Sequence, residues 1–254
     1  MTGSEDLKSP SRGVNPPVSL VGAGPGDAGL MTRRSLELIE AADIVYYDRL
    51  IPPEALEGAR PEAELVYVGK EPGKPGLGQE EINRRLIESG RAGLRVVRLK
   101  GGDPFLFGRG AEEAEALREA GLDFEVVPGV TAGIAASAYA GISVTHRDQS
   151  AAVTFATGHE DPAKSESNLD LERLAATPGT IVFYMGLKKL ADNAAALIRG
   201  GRPPAQPVAV IERGTTPAQR VVSGTLETIA GAVETAGLRP PALVVVGEVV
   251  DLRE

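Results

Sequence analysis

Residues 95–127 read RVVRLKGGDPFLFGRGAEEAEALREAGLDFEVV, and the order of patterns within them decides the fold. A short β-branched run at 95–99 (RVVRL) leads into a loop with two adjacent glycines. An Ala- and Glu-rich helical segment over 111–120 follows, then a second strand-like run at 124–127 closed by Pro128-Gly129. Strand, helix and strand in that order form a βαβ unit, and such units build a largely parallel sheet with helices on its faces. The alternation extends in both directions. Before it lie strand-like runs at 18–23 (VSLVGA), 44–47 and 65–68, with helical periods over 32–42 (TRRSLELIEAA) and 79–89 (QEEINRRLIES). After it come strand-like runs at 152–156, 181–184, 208–211 and 243–246, helices near 171–176, 188–198 and 226–235, and an antiparallel piece at 220–222. A small-residue helix at 131–140 (TAGIAASAYA) separates the two series. The expected architecture is α/β: a floppy tail over 1–17, an N-terminal α/β lobe over 18–130 and a C-terminal α/β lobe over 131–254, with a ligand cleft between them.

Composition narrows the function. At 254 residues the chain is about 1.7 times a typical domain length, which suits one large domain or two lobes. Its 27 Lys and Arg against 35 Asp and Glu give a net charge of −8, which argues against a generic binder of nucleic acid or anionic membrane. Aromatic residues, at 4%, leave little for base stacking. The absence of cysteine excludes a disulfide framework, thiolate metal sites and a cysteine nucleophile. With only His146 and His159, a histidine-rich metal centre is excluded as well, and no metal is expected. The polar, Pro-rich tail lacks the apolar core of a signal peptide, and every apolar run falls short of the roughly 18 residues of a membrane span, so the protein is expected in the cytoplasm. The 31 Gly and 19 Pro are a surplus that belongs in shaped loops.

Two such loops stand out. In residues 22–29, Gly24, Gly26 and Gly29 satisfy G-x-G-x-x-G, and Asp48 lies about 20 residues further on, as in a dinucleotide fingerprint. Leu30 and Met31 separate these glycines from the helix start at Thr32, and Pro25 has no N–H to offer a pyrophosphate, so a tight strand-to-helix turn is the competing reading. Residues 100–110, KGGDPFLFGRG, come directly after a strand, where the carboxyl edge of a parallel sheet presents ligand loops. There Gly101 and Gly102 let backbone approach a ligand, Asp103 supplies an acceptor and Pro104 stiffens the rest of the loop, an arrangement suited to a ligand with hydroxyls or an amine.

The motifs VGAGPGD (21–27), AADIVYYDRL (41–50), VGK (68–70), QEEIN (79–83), RLKGGDPFLFGRG (98–110), VPGVTAGIAASAYAGISVTHR (127–147) and YMG (184–186) occur in this order. With them the chain, from about Val18 to its C-terminus, resembles the uroporphyrinogen-III C-methyltransferases of the tetrapyrrole methylase family. The resemblance implies two α/β lobes, usually in a homodimer, and an S-adenosyl-L-methionine-dependent methylation of uroporphyrinogen III at C2 and C7. The products are precorrin-2, through precorrin-1, for sirohaem or cobalamin, and S-adenosyl-L-homocysteine. It further implies cofactor contacts at Pro25, Gly101, Gly102, Asp103, Leu106, Thr131, Ala132, Met185 and Gly214, the last from ERGTT. Asp48 is then the proton acceptor and Lys70 the proton donor, with Arg49 and Arg147 facing the substrate. The segment over 71–78 lacks a histidine often found there in the family, and ISV replaces the commoner IPL before THR. Without the dehydrogenase and ferrochelatase extension of some sirohaem synthases, methylation alone is expected.

The residues suit that chemistry. Displacement at a carbon already activated by a sulfonium needs approach geometry, worth about 7–11 kcal/mol, rather than a metal or a nucleophilic side chain. Methylation of a pyrrole carbon must be balanced by loss of a proton from the substrate, and Asp48 can assist if partial burial raises its pKa. On the residues alone, Asp48 is equally a strand-end turn residue and Lys70 a solvated lysine. The substrate bears two carboxylates on each ring, so attraction to an acidic protein must be local. Arg33, Arg34, Arg49, Lys70, Arg98, Lys100, Arg109 and Arg147 are expected to supply it, several in one trough, with Arg98 the most structural. His146 and His159 read as solvated or core residues, Ile134, Ala135 and Ala138 as helix packing, and Glu112, Glu113 and Glu115 as a solvated helix face. A sister methylase acting on a later precorrin, and a non-catalytic nucleotide-binding module, are the competing functions. KGGDPFLFGRG weighs against the first, and the pairing of Asp48 and Lys70 with the basic set weighs against the second.

Overall fold

The computed structural model describes residues 18–69, 76–159 and 169–253, so the expected tail over 1–17 and Lys70 lie outside the described residues. The chain divides into two compact units. One runs to Gly24 and resumes over Ala28–Gly129; the other comprises Pro25–Asp27 and the chain from Val130. A linear reading keeps Pro25–Asp27 in the first lobe, whereas their contacts lie with the second.

In the first unit, β1 (Val18–Gly22), β2 (Ile44–Tyr47), β3 (Glu64–Tyr67), β4 (Val96–Lys100) and β5 (Phe124–Val127) form one sheet in the order β3-β2-β4-β1-β5, and every pairing is parallel. Helices α1 (Arg33–Ala41), α2 (Gln79–Arg91) and α3 (Gly110–Glu119) connect its strands. A parallel sheet buries both faces, and β1 and β4 are buried at every residue. Alternate side chains divide between two cores. Val18, Leu20, Tyr46 and Val96 pack with Ile82, Leu86 and Leu117 of α2 and α3, whereas Val21, Val45, Val97 and Leu99 pack with Leu38 and Ile39 of α1. Helix α1 starts where its sequence says it should: the Thr32 hydroxyl accepts from the Ser35 N–H at 3.1 Å, and the Ser35 hydroxyl donates to the Gly22 carbonyl at 3.0 Å, tying the helix to the end of β1.

The second unit holds α4 (Ala132–Tyr139), β6 (Val153–Thr157), α5 (Leu171–Ala175), β7 (Thr180–Tyr184), α6 (Leu190–Arg199), β8 (Pro207–Glu212), β9 (Arg220–Thr225), α7 (Ile229–Ala236) and β10 (Ala242–Val246). Its sheet runs β6-β7-β10-β8-β9. Only β6 and β7 pair in parallel; β10 is antiparallel to both β7 and β8, and β9 antiparallel to β8. The parallel expectation, read from the first series of elements, holds for the first sheet; in the second the antiparallel pairing extends well beyond the expected piece at 220–222. A strand-helix-strand rhythm leaves open where each strand inserts, and here β10 slots between β7 and β8 with reversed direction.

Candidate active site

Every candidate loop of the first unit lies just beyond the carboxyl end of a strand. Parallel pairing puts the ends of β1, β2, β3, β4 and β5 on one edge, and with them Gly22–Gly24, Asp48-Arg49, Val68-Gly69, Lys100–Gly110 and Pro128-Gly129. The three glycine segments are knitted to one another. Gly24 and Gly102 exchange backbone hydrogen bonds of 3.2 and 2.6 Å, and a Cβ on Gly129 would stand 2.1 Å from the Gly102 oxygen. One on Gly101 would stand 2.7 Å from the Leu50 oxygen. These glycines permit loop-to-loop approach, and the N–H of Gly102 is already spent on Gly24. Asp103 is likewise engaged, its two oxygens accepting from the N–H groups of Phe105 at 2.8 Å and Gly129 at 3.1 Å. Leu106 is half-buried in the same loop. The GxGxxG pattern has none of its dinucleotide geometry, because a short 3-10 turn, Ala28–Leu30, intervenes before α1.

Register then assembles a charge cluster. Tyr46 pairs with Arg98 across β2 and β4, so Asp48, two residues on, shares the face of Arg98 and Lys100. The first turn of α3 covers that face and lowers Glu113 onto it. Arg98 Nη2 donates to both Asp48 oxygens at 2.8 Å, and its Nε donates to Glu113 Oε1 at 2.9 Å. Lys100 Nζ donates to the same Glu113 oxygen at 2.9 Å and lies 3.9 Å from Asp48. The side chains of Arg98, Lys100 and Glu113 are 2%, 3% and 0% exposed and that of Asp48 is 29%, so the cluster opens to solvent at Asp48. Burial, and after it the Arg98 charge, push the Lys100 ammonium below the usual lysine range. Burial also opposes the Arg98 charge, but Glu113 and Asp48 outweigh it and hold the guanidinium above its usual value.

Several expectations change here. Glu113 is not on a solvated face, although Glu112 and Glu115 are; it lies on the inward stripe of α3 with Ala114 and Leu117. Arg98 and Lys100 face Glu113 and Asp48 from inside and line no open trough. Arg33, Arg34 and Arg109 are matched by Glu37, Glu125 and Glu112. Arg49 and Arg147 are exposed and form no ion pair among the described residues.

In the second unit, the Thr131 hydroxyl lies 2.6 Å from the Tyr184 hydroxyl, which also accepts from the Gly133 N–H at 2.7 Å. Ala132 opens α4 beside them, and Met185 comes at the end of β7, 53% exposed. Gly214 packs under α4, where a Cβ would stand 2.2 Å from that of Ala136. Pro25–Asp27 is held by Thr215, whose hydroxyl accepts from the Asp27 N–H at 3.1 Å, and by the Tyr139 hydroxyl, which donates to Asp27 at 2.7 Å. The anchoring roles of Tyr139, Tyr184 and Thr215 carry no local signal in the sequence. Ile134 and Ala138 are exposed and only Ala135 is buried, so the expected packing stripe reduces to one residue. His146 is half-buried in a tight turn bridged to Ser150, and His159 is exposed.

Among the described residues, the non-glycine residues with positive φ are Phe107, Arg109, Met185, Arg213 and Thr215, all in GGDPFLFGRG, YMG and ERGTT. Left-handed backbone of this kind costs roughly 1–3 kcal/mol per residue and clusters where ligands bind. Within the second unit Met185 is exposed and Pro25 and Ala132 are partly buried, apolar side chains that suit the adenosyl and thioether parts of S-adenosyl-L-methionine. No group of three or more His, Asp and Glu among the described residues could hold a metal ion.

Residues 17–230 match the model of the Tetrapyrrole (Corrin/Porphyrin) Methylases. An S-adenosyl-L-methionine-dependent uroporphyrinogen III methyltransferase of Methanosarcina barkeri is 51% identical over 93% of both chains. Siroheme synthase 2 of Aeromonas hydrophila is 52% identical over 93% of this chain, which spans 50% of that protein's length. The crystal structure of uroporphyrin-III C-methyl transferase from Thermus thermophilus complexed with S-adenyl homocysteine superposes with a TM-score of 0.80 at 42% identity, over 92% of this chain and 99% of the other.

Proposed function

Because the chain belongs to the tetrapyrrole (corrin/porphyrin) methylases, we infer that it is an S-adenosyl-L-methionine-dependent uroporphyrinogen III C-methyltransferase. The observation that carries the reading is Asp48: a carboxylate gripped from within by Arg98, open to solvent at the carboxyl edge of the parallel sheet beside the GGDP loop. S-adenosyl-L-methionine supplies a methyl group on a positively charged sulfur. The residues that would hold it are Pro25, Gly101, Gly102, Asp103, Leu106, Thr131, Ala132, Met185 and Gly214. A ring carbon that already bears a side chain becomes quaternary when it gains the methyl, so the proton lost in exchange comes from another position of the macrocycle; Asp48 takes it, and Lys70 is the proton donor for a tautomeric shift matched by an equal further loss. The Asp48 side chain is partly buried, 29% exposed, and fixed by Arg98. Arg49 and Arg147 pair with carboxylates of the substrate.

The finer proposal is methylation at C2 and C7 to precorrin-2 by a cytoplasmic homodimer. Among the described residues no helix is long and apolar enough to cross a membrane. The test is incubation of the purified protein with reduced uroporphyrinogen III and methyl-labelled S-adenosyl-L-methionine. Two labelled methyl groups per tetrapyrrole are expected; no incorporation, with the cofactor still binding, rejects the reading.

A further inference from the structure

We infer that Arg98 is a positioning residue for methyl transfer, fixing the Asp48 carboxylate in one orientation, with Glu113 as the buried counter-charge that allows a guanidinium to act from inside the protein. The inference rests on the reading of Asp48 as proton acceptor.

Each donor nitrogen of Arg98 has a defined partner. Nη2 reaches both oxygens of Asp48, Nε reaches Glu113 Oε1, and Nη1 donates to the carbonyls of Leu99 at 3.2 Å and Tyr46 at 3.4 Å. Two of those partners are backbone groups of β2 and β4, so the guanidinium plane is set by the sheet. Contact with both oxygens then removes the carboxylate's freedom to rotate. On the far side, Glu113 Oε1 collects Arg98, Lys100 and the Gln79 amide at 3.2 Å, while Oε2 is buried with no partner among the described residues.

A cluster built for stability would not look like this. Buried ion pairs are weak stabilisers at best, and an orphaned carboxylate oxygen adds to their cost. The two buried cations, Arg98 and Lys100, meet one buried carboxylate, and the charge left over is directed at Asp48, the one member open to solvent. Cost within, and a single oriented carboxylate at the surface, is what pre-organisation of a reacting group requires.

The test is a double-mutant cycle on the full-length enzyme with uroporphyrinogen III and S-adenosyl-L-methionine. Arg98→Lys keeps the charge but replaces the planar fork with a point donor. It is expected to lower kcat about 10-fold or more with both KM values within about 2-fold, and to add less than about 2-fold in the Asp48→Asn background. Multiplicative losses in the double variant, or an unchanged kcat for Arg98→Lys where Asp48→Asn is slow, overturn the positioning role. An unchanged kcat for Asp48→Asn is a different result, retiring the proton-acceptor role and this inference with it. If Arg98→Lys does not fold, Glu113→Gln takes its place in the same cycle: a loss seen only with Asp48 present supports the inference, and equal losses in both backgrounds overturn it.

Discussion

Glu113 and Glu112 are neighbours of the same chemistry with opposite surroundings. Glu112 forms an exposed pair with Arg109, whereas Glu113 is fully buried between Arg98 and Lys100. Removing one partner of a buried pair strands the others, so Glu113→Ala is expected to lower unfolding free energy by about 3–5 kcal/mol in urea titrations. Glu112→Ala should cost less than about 1 kcal/mol. Asp43 is one residue through which acid acts on this fold. Hydrogen bonds from the Arg95 side chain and amide, then from Arg60, hold its carboxyl well below the usual carboxylate range. A depressed folded-state pKa contributes stability that is fully present above the unfolded value, about 3.9, and is lost progressively as pH falls from there through the folded-state value. The gap between wild type and Asp43→Asn should be constant from about pH 7 to 5 and shrink below about pH 4; with the pair near the surface it should not exceed about 1 kcal/mol. A gap that grows on acidification would reject that assignment.

The ligand loops are stiff because of how they meet. Gly22 and Gly129 come too close to each other and to the Gly102 carbonyl for any Cβ, and the Asp103 carboxylate ties the β4 loop to the β5 loop. Gly129→Ala, whose methyl would stand 2.1 Å from the Gly102 oxygen, is expected to cost about 1–3 kcal/mol and to depress methyl transfer. Gly231→Ala has the opposite sign. Gly231 lies exposed within α7 with nothing near its missing Cβ, and the change should stabilise by about 0.5–1 kcal/mol, read from thermal unfolding. At this scale much is legible in the chain. Thr32 as a cap, the helical periods of α1 and α2 and the β-branched runs mark elements to within a residue or two, because propensity and periodicity are local. Glu113 escapes such a reading for the same reason: an acidic run looks solvated until the stripe of Ala114 and Leu117 is known to face the sheet.

A net charge of −8 repels a polycarboxylate from the molecule as a whole, so binding depends on exposed cations that the protein has not already neutralised. Among the described residues Arg49 and Arg147 meet that description. Arg49→Ala is expected to raise KM for uroporphyrinogen III about 10-fold with little change in kcat, consistent with loss of a charged hydrogen bond of about 1.5–3 kcal/mol. Added salt should raise the wild-type KM more than that of the variant, since screening at about 0.1 M acts over roughly 10 Å. By itself the sequence determined which segments are strands and helices, that the first sheet is parallel, which loops carry the motifs, and the family. Only the tertiary structure decided that the second sheet is mostly antiparallel, that Pro25–Asp27 goes with the second unit, and that Arg98, Lys100 and Glu113 are an internal support for Asp48. The reason is separation along the chain. Asp48 and Arg98 are 50 residues apart and Asp27 and Thr215 are 188 apart, and local periodicity says nothing about which distant residue a strand register or a folded loop will bring alongside.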